Sequence, residues 1–220
     1  MNKRMTVFID IFQERQQEAR VLRELRPEAL VSAIVKEFRG LELLGTDPAR
    51  YQLVRLDDGT PLDEDRPMDQ QSGRIDRLQL VDRPAAPPPS ALRILRPVYL
   101  RELERGRVYR LDWQPAMIGR RQQARDDQTP LAVNLADHPA RDFISKQHVQ
   151  LIEQGERLMA ESLTSKPTGV TTAGGEWVKL AQGKPYPIAH GDVIHLVNSR
   201  VDLLVLIVDG TATEKPQGVL

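Results

Sequence analysis

Two short stretches of the sequence carry side chains that could hold a phosphate group. Ile118-Gly119-Arg120 reads as a buried strand that ends in glycine and arginine, and Ser145 and Lys146 follow in a later turn. Arginine offers a rigid fork of N–H donors, serine a hydroxyl and a backbone N–H, and lysine a mobile positive charge. The combination predicts a site that binds a phosphorylated peptide rather than one that catalyses a reaction.

The composition excludes several classes of protein. A chain of 220 residues can hold two small domains, and its formal net charge of +0 argues against a general nucleic-acid binder. Because cysteine is absent, disulfides and thiolate metal sites are excluded. No apolar run approaches the ~20 residues of a membrane helix, and the first residues lead into a strand pattern rather than a signal peptide. We therefore expect a cytoplasmic protein that does not insert into membranes.

Enzyme signatures are missing from the sequence. It has no glycine-rich phosphate loop followed by Lys and Ser or Thr, no nucleophile elbow and no kinase-like catalytic loop. The acidic clusters at 63–65 and 126–127 sit in polar loops, where they are most simply solvated. The histidines lack metal-ligand spacing: His138, His148, His190 and His195. The sequence predicts no enzymatic activity, no cofactor and no metal site.

A proline-rich stretch divides the chain. Residues 84–91 are Pro-Ala-Ala-Pro-Pro-Pro-Ser-Ala, which predicts an extended, semi-rigid linker. It separates an expected domain at 5–83 from another at 92–210, and the composition of 211–220 predicts a flexible tail.

The first half predicts an α+β fold. Met5, Val7, Ile9 and Ile11 alternate as one buried face of a strand, the polar residues 13–18 predict a turn, and 19–25 return antiparallel. Pro27 then opens a helix with apolar residues at helical spacing up to Phe38, and Gly40 is a fitting stop. Further strands are predicted at 51–56 and 75–81.

The second half predicts an all-β sandwich. Short apolar or alternating runs are separated by turn residues. The runs are 107–111, 116–120, 148–153, 158–161, 177–180, 192–196 and 201–208. A sandwich groups its loops at its ends, where ligands usually bind.

Four blocks in the second half together resemble the forkhead-associated (FHA) domain. They are Ile118-Gly119-Arg120, Ser145-Lys146-Gln147-His148, Thr164-Ser165-Lys166-Pro167-Thr168-Gly169-Val170 and His190-Gly191-Asp192-Val193-Ile194. Their order and spacing make the resemblance more specific than any single block. It covers residues 92 to 210 and implies an eleven-stranded β-sandwich that binds phosphothreonine peptides through loops at one end.

The resemblance implies a role for each site residue. Arg120 would contact the phosphate or the peptide backbone, Ser145 would donate to a phosphate oxygen, and Lys146 would add charge. Ser165 would touch the threonine side of the ligand. The supporting residues would be Gly119, required by backbone geometry, His148, which would pin the loops from behind, and Thr168.

The third block departs from the family pattern. Lys166 and Thr171 stand where the family commonly has asparagine, and lysine donates hydrogen bonds but cannot accept them. The departure affects peptide affinity and selectivity more than recognition of the phosphate. A polar insert at 121–142 could also shape the site, and Thr129, preceded by acidic residues and followed by proline, is a further candidate for phosphorylation.

The order of elements in residues 5 to 83 resembles ubiquitin, and particularly the bacterial ubiquitin-like domains associated with type VII secretion. This resemblance rests on pattern more than on motifs and implies a β-grasp, which would be either a docking surface for another protein or a stable spacer or cap. Two hypotheses follow. The chain is a non-enzymatic signalling adaptor that binds a phosphothreonine-containing partner, with the first domain as a second docking module for a secretion-complex or kinase partner. Alternatively, it is a structural component of a secretion assembly whose FHA-like site is degenerate and phosphate-independent.

Overall fold

The computed structural model describes residues 4–83, 87–121 and 130–208. The chain divides into two compact units, Met1–Pro84 and Ala85–Leu220. Several sequence predictions fall wholly or partly outside the described residues: the start of the proline-rich linker, part of the polar insert at 121–142, the acidic cluster at 126–127, the phosphorylation candidate Thr129 and the tail at 211–220.

The first unit is a four-stranded sheet covered by one helix. Its sheet order is β2-β1-β4-β3, with β1 and β4 parallel and the other neighbours antiparallel. The elements are β1 Arg4–Ile11, β2 Glu14–Leu22, α1 Pro27–Glu37, β3 Tyr51–Arg55 and β4 Arg77–Asp82.

The helix begins and packs as its sequence predicts. Pro27 occupies the first turn, where its missing N–H costs no hydrogen bond. The apolar stripe of the helix is buried in one core cluster with residues of the sheet, and β3 is the strand that the helix contacts most. Burial of apolar side chains from both layers accounts for most of the stability of such a unit. The stripe is Leu30, Val31, Ile34 and Val35, and the cluster includes Val7, Ile9 and Ile11 of β1, Tyr51 and Leu53 of β3, and Leu78 and Leu80 of β4.

The predicted turn at 13–18 is wrong. Strand β2 already begins at Glu14, and its pairing with β1 includes Phe8 opposite Glu18 and Ile11 opposite Glu14. Polar side chains are accommodated because β2 is an edge strand whose residues are mostly solvent-exposed. The polar composition therefore marks an edge and not a loop.

The second unit is a sandwich of two sheets, which confirms the predicted all-β architecture. One sheet has five strands in the order β13-β10-β9-β7-β8, and the other has six in the order β12-β11-β14-β15-β5-β6. The strands are β5 Leu92–Glu102, β6 Val108–Gln114, β7 Ala116–Gly119, β8 Val133–Asn134, β9 Val149–Gln154, β10 Arg157–Ser162, β11 Thr168–Thr171, β12 Trp177–Lys179, β13 Tyr186–Ile188, β14 Val193–Leu196 and β15 Val201–Ile207.

The core of the second unit lies between the two sheets. Fully buried side chains come from both, among them Ile118 and Leu151 on one sheet and Val170, Ile194 and Leu203 on the other. Period-two alternation places these residues on the inner faces. The buried layer fixes the strand ends, and with them the loops at one end of the sandwich.

The sequence does not predict four of the strands, which are β5, β8, β11 and β13. Pro97 interrupts β5, whose pairing with β6 shifts register between Arg93 and Val98. Strand β8 lies inside the polar insert at 121–142, where Val133 and Leu135 are fully buried. The described part of the insert therefore contributes side chains to the core and is not only a polar surface loop.

The described end of the proline-rich stretch contains a turn. The backbone N–H of Ala91 donates to the carbonyl of Pro88 at 3.0 Å, so this part is not continuously extended. Among the residues that the structure describes, no helix is long and apolar enough to cross a membrane.

Candidate functional site

The first part of the site is the end of β7. This strand pairs with β9 on one side and β8 on the other, and all four of its residues are buried. It ends at Gly119, and the backbone N–H of Arg120 donates to the carbonyl of Ser145 at 3.1 Å. Pairing on both sides of β7 thus fixes where Arg120 leaves the sheet, directly beside Ser145.

Gly119 is required by the close approach of another loop. A Cβ built at this position would lie 2.0 Å from the carbonyl oxygen of Lys146 and 3.1 Å from that of Ser145. Both obstacles are backbone atoms, which cannot rotate away as a side chain could. The contact brings the strand end and the Ser145–Lys146 turn closer together than any other residue type would allow.

The Arg120 side chain is turned toward the loop that precedes Ser145. Its Nε donates to the carbonyl of Ile144 at 2.7 Å, and its Nη1 lies 3.3 Å from Oδ1 of Asp142. The Arg120 side chain is only 16% exposed, whereas that of Asp142 is 80% exposed. The guanidinium thus pairs with a solvent-facing carboxylate, which a bound phosphate would have to displace.

Ser145 joins two of the loops through its hydroxyl. Its Oγ donates to Oγ1 of Thr164 at 3.0 Å, and its backbone N–H donates to Nδ1 of His148 at 3.2 Å. The next residue, Lys146, is exposed. The sequence does not predict Thr164 as a site residue, although Thr164 begins the third block, because only the fold places its hydroxyl against Ser145.

His148 is a buried hydrogen-bonding hub. The residue is 1% exposed, and its Nε2 lies 3.1 Å from Oγ1 of Thr168. Because Nδ1 accepts the N–H of Ser145, the ring proton resides on Nε2 and points at Thr168, whose hydroxyl donates to the carbonyl of Lys166 at 3.0 Å. Burial, and secondarily the charge of Lys166, lowers the pKa of His148 to about 4. The neutral ring ties the Ser145 loop to the start of β11.

The third loop lies between β10 and β11. The backbone N–H of Lys166 donates to Oγ1 of Thr164 at 3.3 Å, and its Nζ donates to the carbonyl of Phe143 at 3.0 Å. Ser165 between them is exposed. Since Arg120 donates to the neighbouring carbonyl of Ile144, two cations hold consecutive peptide groups of one short turn.

A second buried histidine, His138, holds the segment that leads into the turn at Phe143 and Ile144. His138 is 5% exposed, its Nδ1 accepts the N–H of Ala140 at 3.1 Å, and its Nε2 faces the buried carboxylate of Glu102 at 3.6 Å. Burial raises the pKa of Glu102. Nearby, Arg107 pairs with Asp137 of the same loop. The segment leading to Asp142 and Ser145 is therefore attached to the β5–β6 hairpin.

The fold brings the predicted site residues together at one end of the sandwich. Direct contacts link Gly119, Arg120, Ser145, Lys166, His148 and Thr168, while Lys146 and Ser165 are exposed at the same loops. Thr171 lies elsewhere: its Oγ1 is 2.8 Å from Nε2 of His195, on the six-stranded sheet. The site can supply charge and donors to an anion.

Other chemistry among the described residues would need a different kind of site, a metal site or a hydrogen-bonded Thr-His-Asp series. Across 4–83, 87–121 and 130–208, no three His, Cys, Asp or Glu residues gather as a metal site. Thr171, His195 and Asp202 hydrogen-bond in series, at 2.8 Å and 2.7 Å. The ring of Trp177 packs against that of His195 in a tilted arrangement, with 5.0 Å between ring centroids and 47° between the planes, so this series is covered by an aromatic side chain on the sheet surface.

The comparisons with known proteins return FHA domains. No protein-family model matches the sequence, and no curated protein matches it. Similar solved structures include the FHA domain of human APLF in complex with an XRCC1 bisphospho peptide, at 16% identity and a TM-score of 0.37, which covers 50% of this chain and 97% of that one.

Two further structures resemble the chain to the same degree. The FHA domain of an Arabidopsis thaliana hypothetical protein has 18% identity and a TM-score of 0.38, covering 59% of this chain and 99% of that one. Mycobacterium tuberculosis EmbR in complex with a low affinity phosphopeptide has 21% identity and a TM-score of 0.39, covering 53% of this chain and 26% of that one. The structural neighbours thus cover about half of the chain.

Proposed function

We propose that the chain is a non-enzymatic adaptor whose second unit, at 92–210, binds a phosphothreonine-containing protein. The observation that carries the proposal is the convergence of three loops on Ser145, with Arg120 and Lys166 donating to the adjacent carbonyls of Ile144 and Phe143. Arg120, the Ser145 hydroxyl and the neighbouring Lys146 can form charge-assisted hydrogen bonds to a dianionic phosphate, and Lys166 lies beside them, where the peptide would pass. The order of the four FHA-like sequence blocks gives independent support.

The residues divide into binding and supporting roles. Arg120 would present its fork to the phosphate in place of Asp142, Ser145 would donate its hydroxyl, and exposed Lys146 would add charge. Ser165 and Lys166 would contact the peptide beside the phosphothreonine. The supporting residues are Gly119, His148 and Thr168, which hold the loops at their observed separation.

The first unit would serve as a second protein-docking module of the ubiquitin-like β-grasp type. Its support is a four-stranded sheet with a parallel central pair, β1 and β4, and a single helix packed on one face. The partner of this module would be a secretion complex of the type VII kind or a kinase. Deleting residues 1–83 should then abolish capture of that partner without changing phosphopeptide affinity.

One observation favours the second hypothesis, a structural assembly component with a degenerate site. Arg120 already pairs with Asp142, and Lys166 already donates to Phe143. If these internal contacts are stronger than those to a phosphate, the unit would bind its partner independently of phosphorylation. The two functions therefore differ in a single measurable property, the dependence of binding on phosphate.

The deciding measurement is titration of the full chain with a degenerate phosphothreonine peptide library and its unphosphorylated twin. We expect micromolar binding, about −8 kcal/mol at ~1 μM, only for the phosphorylated library. Arg120→Ala should weaken it by roughly 30-fold, about 2 kcal/mol, since a charged donor to the phosphate is lost. Equal binding of both libraries, or equal binding by the variant, would favour the assembly component.

Because Arg120 also supports the Ile144 carbonyl, a second variant separates binding from loop structure. Lys146 is exposed, so Lys146→Ala removes charge at the site with little effect on packing. It should weaken phosphopeptide binding by several-fold, on the order of 1 kcal/mol, and leave the thermal unfolding midpoint unchanged. An unaltered affinity in this variant would contradict the assignment of Lys146.

Asp142→Asn should strengthen phosphopeptide binding by about threefold. The substitution removes the carboxylate that competes for Arg120, and an exposed ion pair of this kind is worth about 0.2–1 kcal/mol. The measurement is the dissociation constant of one library-selected phosphopeptide for the wild type and the variant.

A charge-matched control is Asp137→Asn, in the same loop. Asp137 pairs with Arg105 and Arg107 instead of Arg120, so its removal makes the same change in net charge without releasing Arg120. Equal gains in the two variants would assign the effect to long-range charge and not to competition at Arg120.

A further inference from the structure

A groove of about 380 Å³ lies beside the proposed phosphate site. One wall is the third loop, including Ser165 and Lys166, and the other is the end of β12 with the segment that follows it, including Lys179 and Gln182. The third loop therefore belongs both to the proposed phosphate site and to the wall of the groove, and Lys166 is one of the residues that line the groove.

The far wall of the groove is held by hydrogen bonds to the same loop. Gln182 Nε2 donates to the carbonyl of Leu163 at 3.3 Å, and the N–H of Gly183 donates to the carbonyl of Ser162 at 2.9 Å. On the β11 side, the N–H of Leu180 donates to the carbonyl of Thr168 at 2.9 Å. Because both walls are tied together, the groove exists before any ligand arrives.

The groove carries positive charge. Two lysines line it, Lys166 and Lys179, and among the described residues that line it none is acidic. Lys179 is exposed at the end of β12, and the positive charge of Lys166 is also felt by His148, whose pKa it helps to lower. A phosphothreonine carries about −1.5 to −2 charges at neutral pH, which Arg120 and Lys146 already balance. The two groove lysines are therefore in excess of what one phosphate requires.

We propose that this groove binds a second anionic group of the same peptide, next to the phosphothreonine, through Lys166 and Lys179. The anion is the carboxylate of an acidic residue or the phosphate of a second modified residue, which share the chemistry that lysine recognises. The inference rests on the proposed function and adds the class of partner: a phosphothreonine in an acidic or doubly phosphorylated segment.

The test uses the full chain and peptides with one phosphothreonine among neutral residues. Each flanking position is replaced in turn by glutamate or by phosphoserine, and affinities are measured by fluorescence anisotropy. We expect a gain of about fivefold for glutamate and about tenfold for phosphoserine, confined to one or two neighbouring positions. The comparison of the two replacements distinguishes an acidic segment from a doubly phosphorylated one.

Variants of Lys179 connect the gain to the groove. In Lys179→Ala the affinity ratio between the best anionic peptide and the neutral peptide should fall to about twofold, whereas Lys179→Arg should keep the gain. The matched control is Lys184→Ala, an exposed lysine in the following turn that does not line the groove, in which the gain should persist.

Several outcomes of these titrations would overturn the proposal that the groove binds a second anionic group. A gain spread equally over all positions, or one that persists in Lys179→Ala, would overturn the inference, because long-range charge would explain it. A neutral phosphothreonine peptide that binds as well as every anionic one would overturn it too, while leaving the proposed function intact. Failure of all phosphopeptides to bind would overturn the proposed function and this inference together.

Discussion

A Gly119→Ala variant is expected to lose about 3 kcal/mol of the unfolding free energy of the second unit, and its phosphopeptide binding with it. The added Cβ would lie 2.0 Å from the carbonyl oxygen of Lys146 and 2.7 Å from its carbonyl carbon. Separations under about 3 Å are repulsive, so the loop or the strand must move. Movement would break the hydrogen bond from Arg120 N–H to Ser145, and would shift the Ser145 hydroxyl away from the site.

The measurement is chemical denaturation followed by tryptophan fluorescence. The chain has 2 tryptophans, Trp113 and Trp177, and both lie in the second unit, so the signal reports that unit alone. Gly174→Ala is the matched control. A Cβ there meets only the Thr172 hydroxyl oxygen, at 3.7 Å, and the stability should change by no more than about 0.5 kcal/mol. Equal stability of the two variants would show that the loop can relax around an alanine.

The sequence predicts those elements whose cause is local. Pro27 and the apolar stripe from Leu30 to Val35 predict the helix because capping and periodicity act within a few residues. Alternation predicts β9 and β10, and Gly155, with φ of +62°, supplies the left-handed residue of the turn between them. In each case the physical reason for the structure lies inside the segment that adopts it.

The sequence fails where the cause is contact with a distant segment. Strand β8 forms because Val133 pairs with Ile118 and fills the core, although its neighbours are polar. The polar strand β2 forms because β1 offers it a partner along a solvated edge.

The site shows the same division between local and distant causes. The resemblance of the ordered sequence blocks to the FHA pattern predicts Gly119, Arg120 and Ser145 as neighbours. The sequence does not predict the partners of the side chains, because they depend on how three loops meet. These contacts are Arg120 with Asp142, Lys166 with the carbonyl of Phe143, and Ser145 with Thr164. Spacing in sequence carries no information about such meetings, so these contacts emerge only from the folded chain.

The second unit is expected to lose about 3 kcal/mol of stability through His148 as the pH falls from about 6.5 to about 4. Burial, followed by the charge of Lys166, lowers the pKa of His148 from 6.5 to about 4. Within that window the unfolded chain binds a proton that the folded chain does not, so acid favours unfolding. Above pH 6.5 both states hold a neutral ring and the effect vanishes.

One hydrogen bond of the His148 ring opposes protonation in the same direction as burial does. His148 Nδ1 accepts the N–H of Ser145, and a proton on Nδ1 would place two donors against each other in a site where the ring is 1% exposed. Protonation therefore breaks the contact that holds the Ser145 loop. The proposed phosphate site and the stability of the unit should respond to the same titration.

The measurement compares unfolding free energies of the wild type and His148→Asn between pH 7.5 and pH 4, by tryptophan fluorescence. Carboxylates titrate in both proteins, so only the difference between the two curves belongs to His148. That difference should shrink by about 3 kcal/mol toward low pH, and parallel curves would refute the assignment. In a third protein, Lys166→Ala, NMR titration of the His148 ring should give a higher pKa than in the wild type, because the second cause of the depression is gone.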